Sequence, residues 1–172
     1  MNDHFVLFDL DNTLVDSLHL KPLRDARRWS EVYARISSIK VFDGISATWL
    51  ALRRRGVFLG IVTHSPRSYA SRVLDHVGFT PDALVAYHDL NGKRKPSPYG
   101  YEQCCSGRDA RLGAAVGDER TDLLAADRFG CSAIFAGWAR NPALTAEDCQ
   151  QAGWLYVSRP RELVDIVLNT RV

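Results

Sequence analysis

The sequence has no hydrophobic run long enough to cross a bilayer, no CxxC pair or zinc-like spacing among its four cysteines, and no large excess of either charge sign. Each absence removes a class of function. A membrane-spanning helix needs about 20 consecutive apolar residues, and no stretch approaches that. Cys104, Cys105, Cys131 and Cys149 are scattered in the way of reduced packing residues in a cytosolic protein, not of a disulfide framework. Twenty-two Lys and Arg against 20 Asp and Glu leave a net charge of +2, too little to suggest a nucleic-acid binder by itself. No internal repeat, low-complexity tract or interdomain linker interrupts the chain. Its 172 residues suit one domain, 1–172, large enough to bury a core.

What the sequence does have is an abrupt change of character near its start. The apolar run Phe5-Val6-Leu7-Phe8 stops at Asp9-Leu10-Asp11-Asn12-Thr13-Leu14-Val15-Asp16-Ser17. In an extended chain, side chains two residues apart share a face, so Asp9 and Asp11 repel each other. A hard divalent cation with oxygen ligands offsets that repulsion economically. A cleaved leader would remove this segment, so none is expected, and a cytoplasmic location without membrane association is.

Short apolar runs then alternate with amphipathic stretches. Strands are expected at Phe5–Asp9, Val57–Thr63, Ala83–Tyr87, Leu112–Gly117, Cys131–Ala136 and Trp154–Val157. Helices are expected near Pro22–Ile36, Ile45–Arg55, Pro66–Val77, Pro98–Cys105, Thr121–Phe129, Thr145–Ala152 and Pro160–Leu168. The alternation predicts right-handed βαβ units, hence an α/β fold of three layers with a mainly parallel sheet. Ser65-Pro66 reads as an N-cap followed by a proline in the first helical turn. Gly56, Gly78 and Gly130 sit where helices should end. Residues 18–41 break the alternation. They can hold one helix of about fifteen residues, roughly 22 Å long, too little for an independent core, and read as a small lid.

Three further positions fall at the carboxyl ends of expected strands or in the loops beyond them. Thr63 ends Val57-Phe58-Leu59-Gly60-Ile61-Val62; Lys95 lies in the loop between Asn91 and Pro98; Asp118 follows Leu112–Gly117, with Asp122 four residues later. Open parallel sheets bind ligands in the crevice beyond those ends. Three carboxylates, a hydroxyl and an ammonium are therefore expected to converge on one pocket.

The order Asp-x-Asp-Asn-Thr-Leu, strand-Thr, Lys-Pro and Gly-Asp-x-x-x-Asp resembles the four motifs of the haloacid dehalogenase (HAD) superfamily. With their strand and helix context these span roughly Phe5 to Gly137. The resemblance implies a Rossmann-like core with a short helical cap and phosphatase chemistry. Asp9 would be the nucleophile that forms an aspartyl-phosphate, and Asp11 the general acid and then base. Mg²⁺ would be held by the Asp9 and Asp118 carboxylates and the Asp11 backbone carbonyl, with Asp122 behind them orienting waters or Lys95. Thr63 would donate to a phosphate oxygen and Lys95 would steady Asp9, while the N–H groups of Leu10 and His64 complete a cradle. A halide leaves without a proton, so an acid at Asp11 favours phosphoester hydrolysis over dehalogenation.

The reduced lid leaves the pocket open to a bulky substrate or to a second subunit. General resemblance to phosphoglycolate-phosphatase-like members favours a phosphorylated small molecule. Lys21, Arg24, Arg27, Arg28 and Arg35 on the lid are expected either to lie on a solvated helix face or to steer an anionic substrate. His64 stands where many relatives carry Asn, and is expected to touch substrate or shape its loop. Arg67, Arg94 and His88 are candidates for the pocket rim, and Lys93 competes with Lys95. The tryptophans are read as core or lid anchors, and Asn12 as a turn residue suited to unusual backbone angles. Two alternatives stay open: a non-catalytic or regulatory binding module on the same scaffold, associating through residues 154–172, and a nucleotide or nucleic-acid end phosphatase, for which no basic and aromatic groove is evident.

Overall fold

A computed structural model of the chain describes residues 3–169. In chain order the elements are β1 (Phe5–Phe8), β2 (Val15–Asp16), α1 (Lys21–Asp25), α2 (Trp29–Ala34), β3 (Lys40–Val41), α3 (Ile45–Arg54), β4 (Phe58–Val62), α4 (Arg67–Val77), β5 (Ala83–Val85), α5 (Tyr99–Cys104), β6 (Gly113–Gly117), α6 (Arg120–Phe129), β7 (Ser132–Ala136), α7 (Ala146–Ala152), β8 (Leu155–Val157) and α8 (Glu162–Asn169). Six strands form one parallel sheet in the order β5-β4-β1-β6-β7-β8. The expected α/β, Rossmann-like architecture is the observed one.

Strand β1 lies at the centre, and the chain winds away from it in both directions. Phe8 is in register with Ile61 of β4 and with Val116 of β6. The residues just past each strand therefore come out side by side at the switch point, where open sheets leave a crevice.

The period-two alternation of a strand divides the core in two. Val6 and Phe8 face a cluster with Trp49 and Leu52 of α3, Tyr69 and Val73 of α4, and Leu163 and Val167 of α8. Phe5 and Leu7 face the other, with Tyr101 of α5, Leu123 and Ala126 of α6 and Cys149 of α7. All four cysteines are free and buried, as packing residues should be. Residues 154–169 also belong to the body, since Leu163 and Val167 are core; the tail beyond 169, part of the segment read as a possible association surface, lies outside the described residues. Among the described residues no helix is long and apolar enough to cross a membrane.

The lid differs from expectation. A two-residue antiparallel pair, Val15 opposite Val41 and Asp16 opposite Lys40, forms its stem. The single helix expected near Pro22–Ile36 is two short ones, α1 and α2, broken at residues 26–28 by Arg27, whose φ is +55°. A continuous helix would align Lys21, Asp25, Trp29, Tyr33 and Ile36 on adjacent turns of one stripe. Docking the apolar members of that stripe on the body would then bury Lys21 and Asp25 as well. The left-handed residue releases that constraint. α2 buries Val32 and sets Trp29 6.1 Å from the Tyr69 ring, while α1 buries nothing.

The ring of Trp49 stacks on Phe79 at 4.8 Å and contacts Phe8 at 5.9 Å, tying α3 to the strand that carries the site. Trp49→Ala should cost about 3–5 kcal/mol of unfolding free energy, the range for emptying a buried aromatic site. Urea denaturation measures it, and a loss below about 1 kcal/mol would show that this stack does not anchor α3.

Candidate active site

Asp9, Asp11, Thr63, His64, Lys95, Asp118 and Asp122 all line one cavity of about 670 Å³ at the carboxyl edge of the sheet. Leu10 does not line it: its side chain is core and its carbonyl accepts from Leu14 and Val15. The Leu10 and His64 N–H groups donate to no acceptor among the described residues, as free donors of a cradle would.

Asp9 is fixed by its own N–H, which donates to Val116 O at 2.9 Å, an extension of the β1–β6 ladder. The Lys95 ammonium donates to Asp9 Oδ1 at 2.8 Å and to Asp122 Oδ1 at 2.6 Å, and its side chain is only 3 % exposed. Burial alone would lower Lys95, but Asp122 and Asp9 more than offset it and hold the ammonium above its ordinary value. Burial drives the Asp9 carboxyl well up; Lys95 opposes that, and the charges of Asp122 and Asp118 add to it. Asp122 reaches Lys95 because Gly117 has no side chain; a Cβ there would collide with the Asp122 carboxylate. The Glu119 N–H donates to Asp122 Oδ2 at 3.0 Å and fixes the same side chain at the start of α6.

Asp118 follows the last residue of β6, the strand paired with β1. Asn12 Nδ2 donates to its Oδ2 at 2.6 Å and Thr13 Oγ1 to its Oδ1 at 3.2 Å. Burial raises its pKa to about 6, against Asn12 and with help from Asp122 and Glu119. Among the described residues no three Asp, Glu, His or Cys side chains form a ready metal cluster. The chemistry of the donor set nevertheless fits a hard divalent cation: two half-buried carboxylates just past adjacent strands, the charge of Asp118 disfavouring that of Asp9, with Asp9 Oδ2 bonded to nothing among the described residues.

Asp11 is held by donors alone. Ser17 Oγ and Tyr69 Oη each donate to Oδ1 at 2.7 Å, Ser65 Oγ to Oδ2 at 2.6 Å, and Arg24 of the lid pairs with Oδ1. Such a shell suits an ionised carboxylate, which is acceptor-only. Two expectations are corrected here. Ser65 does not cap α4; Pro66 occupies the N-cap position and the Ser65 hydroxyl serves Asp11. Arg24 is 12 % exposed on Asp11, not on a solvated face.

The model of the haloacid dehalogenase-like hydrolases matches residues 21–130, which include Thr63, Lys95, Asp118 and Asp122. The chain belongs to that family. It is 32 % identical over 134 residues to a plasmid phosphoglycolate phosphatase of Cupriavidus necator, covering 71 % of this chain and 57 % of that protein. It is 28 % identical over 163 residues to an N-acetylmuramic acid 6-phosphate phosphatase of Pseudomonas aeruginosa, covering 89 % and 69 %. The chain thus spans little more than half the length of the first of these relatives. The crystal structure of a predicted phosphoglycolate phosphatase from Haemophilus somnus has the same fold, with a TM-score of 0.79 at 19 % identity over 96 % of this chain and 99 % of that one. So has CbbY of Rhodobacter sphaeroides in complex with xylulose-1,5-bisphosphate, with a TM-score of 0.76 at 18 % identity over 95 % and 96 %.

In this haloacid dehalogenase-like hydrolase several other expectations resolve. His64 shapes its loop: the Lys95 N–H donates to His64 Nε2 at 3.0 Å, so the ring proton lies on Nδ1. Thr63 Oγ1 accepts from the Ser65 N–H at 3.1 Å, which leaves its own hydrogen to donate. Lys93 is not the site ammonium; it lies 4.6 Å over the Tyr99 ring and outside the cavity. Arg67 is also outside, paired with Asp89 at 2.6 Å. Arg94 lines the cavity and donates to Tyr87 Oη at 2.7 Å, and His88 lines it beside Tyr87. Of the lid cations only Lys21, Arg24 and Arg27 reach the cavity wall; Arg28 pairs with Glu31.

Sequence reasoning missed Asn12, Thr13, Ser17 and Tyr69 as supports. Asn12 does take a positive φ of 60°, but its side chain also orients Asp118. A donor-bearing pair directly after two aspartates was a usable signal for Asn12 and Thr13; none marks Tyr69, 58 residues from Asp11.

Burial, with Lys95 and Arg94 adding to it and Asp122 opposing it, lowers His64 from its ordinary 6.5 to about 4. The unfolded chain takes a proton near 6.5 that the folded chain refuses, so this residue subtracts stability as pH falls from 6.5 towards about 4. ¹⁵N NMR should show a neutral, Nδ1-protonated ring down to about pH 5; a midpoint near 6.5 would contradict the Lys95–His64 contact.

Proposed function

We propose that this chain is a phosphomonoesterase that works through an aspartyl-phosphate on Asp9 with Mg²⁺ as cofactor. One observation carries the reading: Lys95, buried between Asp9 and Asp122, fixes one oxygen of Asp9 and leaves the other unengaged in the cavity. A carboxylate oriented in this way is suited to in-line attack on phosphorus.

In the first half-reaction an Asp9 oxygen bonds to phosphorus, the phosphorus–oxygen bond to the alcohol breaks, and the departing oxygen takes a proton from the Asp11 carboxyl. In the second, Asp11 takes a proton from water, that water bonds to phosphorus, and the bond to Asp9 breaks. The four donors around Asp11 suit its base role, and its hydroxyl partners Ser17, Ser65 and Tyr69 can reorient once it carries a proton. Thr63, Lys95 and the N–H groups of Leu10 and His64 would hold the phosphoryl oxygens. Mg²⁺ on the Asp9 and Asp118 carboxylates and the Asp11 carbonyl would supply positive charge against the transferred group.

The names of the curated relatives support a small phosphorylated metabolite as substrate. A cavity of about 670 Å³ is of the size that takes one. With Mg²⁺ present, the wild type should release p-nitrophenol from p-nitrophenyl phosphate, Asp9→Asn should be slower by at least about 10³-fold, and EDTA should abolish the wild-type rate. Equal rates in wild type and Asp9→Asn would refute the assignment of the nucleophile.

A further inference from the structure

The lid carries two arginines into the cavity, Arg24 in the last turn of α1 and Arg27 in the break before α2, and they are placed differently. Arg24 lies on Asp11, the group assigned to the departing oxygen, so this end of α1 occupies the alcohol side of the site. Arg27, three residues on, lines the same cavity. The other cations of the cavity wall are already engaged: Lys21 with Asp25 at 2.8 Å, Arg140 with Asp16 at 2.8 Å, and Arg94 with the Tyr87 hydroxyl. The guanidinium of Arg27 makes no hydrogen bond, ion pair or ring contact among the described residues. Its backbone is left-handed, with φ +55°, and its N–H donates to Arg24 O at 2.9 Å. A residue other than glycine is disfavoured in that conformation. The turn nevertheless has arginine there, exposed to the cavity and without a protein partner.

The floor of the cavity makes the complementary point. Its two cations are already paired, Lys95 with Asp9 and Asp122 and Arg24 with Asp11, so a second anionic group on the substrate finds no unpaired cation there. Only the outer wall has a cation to spare. Resting on the phosphatase reading above, we propose that Arg27 binds an anionic group, a carboxylate or a second phosphate, on the alcohol part of the substrate. The preferred substrates are then phosphate esters of hydroxy acids or bisphosphates rather than monophosphates of neutral alcohols. Guanidinium suits both anions through paired N–H donors.

The test uses substrate pairs that differ in that group alone: 3-phosphoglycerate against glycerol 3-phosphate, and fructose 1,6-bisphosphate against fructose 6-phosphate. The wild type should favour the anionic member of at least one pair by about tenfold or more in kcat/KM, the size of a charge-assisted hydrogen bond; the responding pair says whether carboxylate or phosphate is read. Arg27→Asn, which tolerates the left-handed backbone, should bring that ratio close to one, mainly through KM. Arg27→Lys should restore part of it, and Arg28→Ala, outside the cavity, should leave it at the wild-type value. A ratio near one in the wild type, or an unchanged ratio in Arg27→Asn, overturns the proposal while the phosphatase reading stands on p-nitrophenyl phosphate. Failure of the wild type on every ester overturns both.

Discussion

The site depends on one buried ammonium. Lys95 sits between Asp9 and Asp122 with almost no access to water, and no single carboxylate of that group would be comfortable alone. Removing a charge from such a cluster is costly, because its partners stay buried and unpaired. The ammonium joins three separate parts of the chain: the end of β1, the loop before α5 and the first turn of α6. Local features serve that junction. Gly117 makes room for Asp122, Glu119 fixes the other oxygen of that carboxylate, and His64 holds the Lys95 backbone. The parallel sheet brings the pieces to one edge, and the ion cluster sets their final geometry.

The second feature is the coupling of lid to body through Asp11. Arg24 from α1, Tyr69 from α4, and Ser17 and Ser65 from loops meet on one carboxylate. Tyr69 also packs against Trp29, and its ring centre lies 5.5 Å from the Arg24 guanidinium, so the same side chain seats the lid and holds the Asp11 carboxylate. Burial, reinforced by Asp11, raises the Tyr69 hydroxyl and keeps it a neutral donor. The lid is thus a wall of the site, and its docked position supplies one of the four donors that hold Asp11.

The sheet and its helices were legible because buried parallel strands leave continuous apolar runs, and those runs fall within one or two residues of the observed strands. The acidic positions were legible for a related reason: charges directly after a buried strand stand out against its composition. Side-chain partners separated by long stretches of sequence were not. Nothing local says that Ser65 turns to Asp11 instead of capping α4, or that Arg67 turns to Asp89 instead of the cavity. The break in the lid was hidden because arginine at position 27 carries no turn signature; only docking of Trp29 and Val32 while Lys21 and Asp25 stay outside demands it. Chain-local chemistry shows in sequence, whereas competition between surfaces for one helix does not.

The central claim is that Asp9, oriented by Lys95, is the atom donor that receives the phosphoryl group. Its most direct test is to quench the enzyme in acid during turnover of a phosphate ester, reduce the trapped acyl phosphate with borohydride, and locate the modified residue by peptide mass spectrometry. The account predicts homoserine at position 9 and an unmodified Asp11 and Asp118. Homoserine at either of those two positions, or turnover with no modified aspartate in repeated early quenches, would contradict it.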